Sequence, residues 1–232
     1  MSSREEKILL RQYSNALKDI KKNGISNENI IPLIDENNIF VWYFLIKGLS
    51  DPYTNGEYIF KLIAPPNYPD KPPTFMFLTP NGVYDIPRDK HGGKICISIG
   101  EFHPNDHHRD EKSGSYGWRK CFGMMGFANQ VWGSFITFDS STSGINIINP
   151  PPSDIEKKNL AKNSIEYNKT HLADIYNKIK ELENSFLESP QQITNLPQLP
   201  QQDLPQQIKD LSQQDEYLKI YNPILYYMVK GV

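Results

Sequence analysis

The chain has 232 residues, 38% hydrophobic and 12% aromatic, enough for one well-buried domain with appendages or two small ones. Acids and bases nearly cancel to a net charge of -2, without the basic surplus or stripe of a nucleic-acid binder. The 18 prolines and a mean hydropathy of -0.57 indicate that part of the chain stays outside the packed core.

From Arg4 to Lys22, Ile8, Leu9, Tyr13, Ala16, Leu17 and Ile20 recur at steps of three and four, the spacing of one buried helical face. Gly24 is placed to end that helix. Ile30 to Ile34 begins an extended region. Three strands are expected beyond it: Ile39 to Lys47, Tyr58 to Ile63 after the Asn55-Gly56 turn, and Thr74 to Leu78 between prolines. Residues 79–121 lack periodicity and are rich in Gly, Pro, His and Asp; loops of that length in a compact domain are usually functional or disordered. Met124 to Phe138 reads as a buried central helix, weakened at Gly126 and Gly133 by about 1 kcal/mol each relative to alanine.

After Pro150-Pro151-Pro152, either Ser153 or Asp154 can cap a helix from Ile155 to Asn168, and a further helix is expected from Leu172 to Leu187. Helix, antiparallel strands and then helices predict an α+β layer. The domain is expected to span 1–188. Residues 189–232 form a Gln/Pro-rich flexible tail with a short apolar end, Tyr217 to Val229. Its longest apolar run, Ile224 to Val229, is far below the roughly 20 residues of a membrane span. The charged start, Ser2-Ser3-Arg4-Glu5-Glu6, is unlike a secretory signal.

The only two cysteines are Cys96 and Cys121, which gives neither a disulfide framework nor a closed four-ligand metal set. A reducing, cytoplasmic setting follows, with a thiol left for chemistry. Cys96 lies on a short apolar island, Ile95-Cys96-Ile97-Ser98-Ile99, in the middle of the irregular segment. Cys121, in Arg119-Lys120-Cys121-Phe122, is expected to be a small buried or half-buried residue. His103, His107 and His108 lack cysteines at short spacing and are poor candidates for zinc, so neither a metal nor a cofactor is expected.

Taken in order, Trp42 followed by Gly48, Tyr53-Thr54-Asn55-Gly56, Tyr68-Pro69-x-x-Pro72-Pro73, Thr79-Pro80-Asn81, Ile95-Cys96-Ile97-Ser98 and Trp118 resemble the ubiquitin-conjugating enzymes. The resemblance runs over about 170 residues. It implies an N-terminal helix, a four-stranded antiparallel meander, a catalytic segment, a central helix and C-terminal helices. Thr79-Pro80-Asn81-Gly82, Ser98, Phe102-His103-Pro104, Ser134-Phe135 and Ser143-Gly144-Ile145 are similar to the tail-anchored, endoplasmic-reticulum-associated subgroup. The Gln/Pro-rich tail departs from that subgroup's membrane anchor.

The resemblance implies that Cys96 accepts ubiquitin from an activating enzyme as a thioester and passes it to a lysine amine, or to a hydroxyl. ATP is consumed upstream, by the activating enzyme. An ordinary cysteine, of pKa about 8.5, is a few per cent thiolate at neutral pH and nucleophilic without a strong base beside it. Asn81 takes the family's asparagine position, implying an amide donor to the oxyanion of the transfer step; alternatively it braces an Asn-Gly turn. Fifteen positions separate Asn81 from Cys96, so Asp85 to Gly93 must loop out if the two are to face each other. Ser98 replaces the family's usual aspartate.

The polar insertion Glu101 to Gly117 is either a solvated loop or a cover that positions acceptor ubiquitin. Expected partners are ubiquitin and the activating enzyme, the latter on a first helix bearing Arg4, Lys7 and Arg11. Asp70 and Arg119-Lys120-Cys121 stand where the family's ligase-docking loops are apolar or Ser-Pro-Ala, which speaks against the common RING-type ligases. Two rival readings stay open: a catalytically silent ubiquitin-binding or scaffold module of the same fold, and a conjugating enzyme for another ubiquitin-like modifier.

Overall fold

The structure, a computed structural model, describes residues 3–23, 30–86, 93–97, 99–101, 117–136, 147–148 and 150–187. The expected stop at Gly24, Ser98, residues 102–116 of the insertion with its three histidines, and the tail from Ser189 all lie outside the described residues. The elements run α1 (Arg4–Asn23), β1 (Ile30–Asp35), β2 (Asn38–Ile46), β3 (Tyr58–Ile63), β4 (Thr74–Phe77), α2 (Gly123–Ile136), α3 (Asp154–His171) and α4 (Ala173–Leu187).

Helix α1 starts at a capping box: the Ser3 hydroxyl accepts from Glu6 N–H at 3.1 Å and Glu6 Oε2 accepts from Ser3 N–H at 2.7 Å. Leu9, Tyr13, Ala16 and Ile20 form its buried face, while Arg4, Lys7 and Arg11 are exposed.

The four strands pair antiparallel in the order β1-β2-β3-β4, a meander with β4 at one edge. Asn55, at φ 63°, turns the chain into β3. Its neighbour must be glycine, because a Cβ on Gly56 would stand 2.5 Å from the Tyr58 hydroxyl oxygen.

Side chains alternate across the sheet as the strand period of two requires. One face carries Trp42, Phe44, Ile46, Tyr58, Phe60, Leu62, Phe75 and Phe77 into the main core, with α1 and Met124, Phe127, Ala128 and Val131 of α2. Phe44 and Phe60 stack at 5.0 Å between ring centroids, and Phe60 meets Phe77 at 5.6 Å. Such ring pairs contribute about 0.5–1.5 kcal/mol each beyond area burial. Gln12 ties α1 to α2: its Oε1 accepts from the Tyr68 hydroxyl at 2.8 Å and from Met124 N–H at 3.2 Å.

The opposite face is also covered. Ile31, Leu45 and Ile59 pack with Tyr176 and Ile179 of α4, and Ile165, Leu172 and Leu182 flank them. An ion network rims this second layer: Glu183 binds Lys47 of the β2 end and, at 2.6 Å, Lys180, which also reaches Glu57 Oε1 at 3.1 Å.

The helix bounds differ from expectation by a residue or a turn. Ser153, rather than Asp154, caps α3, in a capping box with Glu156. The helix then runs past Asn168 to His171, because no breaker intervenes before Leu172 turns out of helical geometry and gives its N–H to Asn168 O. The central helix begins one residue early, at Gly123, whose φ of 60° and close approach to the Gln12 side chain favour glycine.

Candidate active site

Cys96 is half-buried on the apolar island, between Ile95, 1% exposed, and Ile99, 4% exposed. Edge strand β4 holds the segment: Ile95 N–H donates to Phe75 O at 2.8 Å. Gly100 N–H turns back to Ile97 O at 2.8 Å. A clasp closes it from outside, with Lys94 Nζ 3.2 Å from Glu101 Oε1 and the Thr74 hydroxyl donating to Glu101 Oε2 at 2.7 Å. The reactive candidate is thus fixed at both ends while its own side chain remains half-accessible.

Asn81 follows β4 and is 1% exposed. Its Oδ1 accepts from the N–H groups of Val83 and Tyr84, both at 2.8 Å, and its Nδ2 donates to Thr79 O at 3.0 Å. These local bonds satisfy backbone donors in an irregular segment and brace the turn. Gly82, at φ +78°, completes the reversal.

Both loops return to the same strand. Tyr84, bound to Asn81, puts its ring 5.5 Å from that of Phe75, and the Phe75 carbonyl in turn holds Ile95 beside Cys96. Tyr84 and Ile95 are thus both tied to Phe75 of β4, while residues 87–92 of the expected loop lie outside the described residues. Tyr84 also bridges to Ile147 and donates its hydroxyl to Ser134 Oγ at 2.6 Å, tying the loop to α2. Burial pushes the Tyr84 hydroxyl up to about 12, so it stays a neutral donor at physiological pH.

Thr79 lies at 0% exposure in a buried polar line. Its Oγ1 accepts from Ile59 N–H at 2.9 Å and donates to Asn168 Oδ1 at 2.6 Å; Asn168 Nδ2 donates to Glu57 O at 2.9 Å. Ser164 accepts from Glu57 N–H at 2.9 Å. Sequence reasoning missed Ser164 and Asn168. Their signal was a polar pair in phase with Ala161, at steps of three and four along α3.

Cys121 is exposed, not buried or half-buried as expected. It lies in the turn that enters α2, where the next residue, Phe122, takes the inward place against Trp118, with ring centroids 6.1 Å apart. Trp118 in turn donates its indole N–H to Pro69 O at 2.9 Å. Lys120 pairs with Asp70 and holds that carboxyl below its usual range by hydrogen bonding and charge. The two loops expected to face a ligase are thereby clipped together by an exposed ion pair. Among the described residues no group of three or more His, Cys, Asp or Glu could hold a metal ion.

Helix, four-stranded meander, cysteine segment on the edge strand, central helix and paired C-terminal helices make up the ubiquitin-conjugating α+β fold. The profile of the family described as Ubiquitin-conjugating enzyme matches residues 9–122. A "Ubiquitin-conjugating enzyme E2 J2-like" protein of Dictyostelium discoideum is 30% identical over 164 residues, 70% of this chain and 83% of that one. "Ubiquitin-conjugating enzyme E2 6" is 35% identical in Candida glabrata, over 60% of this chain and 48% of the relative. The protein of that name in Saccharomyces cerevisiae is 36% identical, over 58% and 46%. The chain belongs to the ubiquitin-conjugating enzyme family. It spans about half the length of the E2 6 relatives it matches.

Proposed function

We propose that the protein is a ubiquitin-conjugating transferase that works through Cys96. The observation behind this is a half-buried cysteine clasped along β4, the strand that also leads into the Thr79-Pro80-Asn81 loop, in a chain of this family. In the first step the Cys96 thiolate attacks the carbonyl carbon of ubiquitin's C-terminal glycine in the activating enzyme's thioester. A new S–C bond forms and the activating enzyme's thiolate departs. In the second step an acceptor amine, or a hydroxyl, attacks the same carbon, the tetrahedral intermediate collapses and the Cys96 thiolate leaves. The attacking group's proton goes to solvent.

Asn81 serves the second step. It keeps the loop after β4 in shape, and a primary amide has two N–H donors, of which the bond to Thr79 uses one. Bracing and donation to an oxyanion are therefore compatible in one side chain. The thioester itself needs no metal or cofactor, and ATP is consumed by the activating enzyme. Ubiquitin and that enzyme are the partners of this reading. The exposed Arg4, Lys7 and Arg11 of α1 support the latter's docking.

Thr79-Pro80-Asn81-Gly82 and the E2 6 and E2 J2-like relatives favour the tail-anchored, endoplasmic-reticulum-associated subgroup. A cytoplasmic setting rests on the two-cysteine content. Among the described residues no helix is long and apolar enough to cross a membrane.

Incubation with activating enzyme, ubiquitin and ATP is expected to give an adduct one ubiquitin heavier, abolished by reducing agent and absent in Cys96→Ala. Failure of the wild type to form it would leave the silent-module reading. An adduct with another modifier alone would change the cargo but not the chemistry.

A further inference from the structure

The Asn81 loop is not held by its own residues alone. Helix α3, far along the chain, backs it at two heights. A Cβ on Gly82 would stand 3.1 Å from Pro152, 3.2 Å from Lys157 and 3.3 Å from Leu160, so the first turns of α3 press on the loop's reversal. Two turns further on, Asn168, at 0% exposure, accepts from the Thr79 hydroxyl at 2.6 Å. Asn168 is itself fixed by donating to Glu57 O at 2.9 Å. Ser164, one turn back, holds the same residue's N–H. Thr79 then presents its carbonyl to Asn81 Nδ2 at 3.0 Å.

The path from α3 to the Asn81 amide is thus two hydrogen bonds joined through Thr79, fully buried at Thr79 and Asn168. A buried bond of this kind has one satisfied geometry and is costly to leave unmade. The Ile59 N–H that also reaches Thr79 Oγ1 leaves the hydroxyl's proton a single direction, toward Asn168.

We propose that Asn168 is a positioning residue for the transfer step, acting through the Thr79 hydroxyl to fix the orientation of the Asn81 amide. This rests on the assignment of Cys96 and Asn81 above. It predicts an effect on release of the acyl group and not on its acquisition, because charging from the activating enzyme needs Cys96 accessible but not the Asn81 amide aligned.

The test charges the full-length protein with ubiquitin, quenches charging, and follows discharge onto free lysine across a lysine titration. Thr79→Val, nearly isosteric, and Asn168→Ala are expected to slow discharge at saturating lysine about tenfold, the scale of a small misplacement of a reacting group. Charging rate and the lysine concentration for half-maximal discharge stay at wild-type values. Thr79→Ser, which keeps the hydroxyl, restores discharge, and the double variant falls no further than either single one because the two groups act as a unit.

A merely structural role would lower charging and discharge together, and that outcome overturns the proposal. So would wild-type discharge in folded Thr79→Val, or additive losses in the double variant. If Asn168→Ala does not fold, Thr79→Val and its serine counterpart decide the matter. Asn81→Ala in the same assay separates the two levels. Slow discharge there beside wild-type discharge in Thr79→Val overturns only the positioning role. A wild type that does not charge, or Asn81→Ala discharging at the wild-type rate, overturns the assignment beneath it.

Discussion

Lys94 and Glu101 enclose the Cys96 segment and meet each other, Nζ to Oε1, at 3.2 Å. The pair is partly exposed, 45% at Lys94 and 26% at Glu101, so its Coulombic contribution to stability is small, about 0–1 kcal/mol. Its importance is local. Glu101 also accepts from Thr74 of β4, so one carboxylate joins the end of the segment to the strand that holds its beginning through Ile95.

Glu101→Ala is therefore expected to leave global stability within about 1 kcal/mol of wild type while loosening the loop. The readout is the rate at which iodoacetamide alkylates Cys96, measured in a Cys121→Ser background because Cys121 is exposed. Alkylation should rise several-fold in the variant. An unchanged rate with unchanged Tm would mean that the Ile95 and Gly100 bonds suffice to hold the segment.

The elements were legible in sequence wherever one face alternates or repeats cleanly. Leu9, Tyr13, Ala16 and Ile20 announce α1, and Trp42, Phe44 and Ile46 announce the inward side of β2. Cys96 and Asn81 were legible only through the order of the motifs around them, since one thiol and one Asn-Gly pair say little alone. The second face of the sheet was not legible. Ile31, Leu45 and Ile59 suggest simple strand hydrophobicity, and their cover, α4, comes more than a hundred residues later in sequence. Asn168 carried only its phase with Ala161 and Ser164 as a signal; its partner Thr79, 89 residues earlier, is set by tertiary packing. Cys121 was misjudged because burial statistics for cysteine carry no information about which residue of a tight turn points inward.

Two glycines should respond in opposite directions to the same substitution. Gly82→Ala places a side chain at φ +78° against Pro152, Lys157 and Leu160, all within 3.3 Å of the new Cβ. Left-handed backbone alone costs a non-glycine residue about 1–2 kcal/mol, and the contacts with α3 add to it. Urea unfolding is expected to give a destabilisation of about 2 kcal/mol or more.

Gly133, in the interior of α2, has no left-handed φ, and nothing stands within 4 Å of the place an added Cβ would take. Gly133→Ala should stabilise the protein by about 0.8–1 kcal/mol, the helix-propensity difference, visible as a higher urea midpoint at constant slope. A destabilised Gly133→Ala would show that the close approach of another group, not helix propensity, governs that position.

The ion network over the second face sets an acid limit on stability. Burial acting alone would raise the pKa of Glu183, but hydrogen bonds and charge from Lys180 and Lys47 outweigh it and hold the carboxyl below its ordinary 4.5. A carboxyl depressed in the folded state contributes stability that is complete above its unfolded value and is lost as pH falls through the folded one. Lys180 has the opposite sense. Desolvation would lower it, yet Glu183 and Glu57 raise it above 10.5, so its contribution is complete below that value and is lost only as pH rises through the raised one. Neutral pH lies on the plateau between the two limbs. Tm is therefore expected to be flat near neutrality and to fall as pH drops below about 4.5, with Glu183 among the groups responsible. Glu183→Gln should flatten part of that acid limb. At pH 7 it should cost about 2 kcal/mol, because two ammonium groups lose a charged acceptor beneath α4. An acid limb of unchanged steepness in Glu183→Gln would assign the proton uptake to other carboxyls and leave this network a packing feature only.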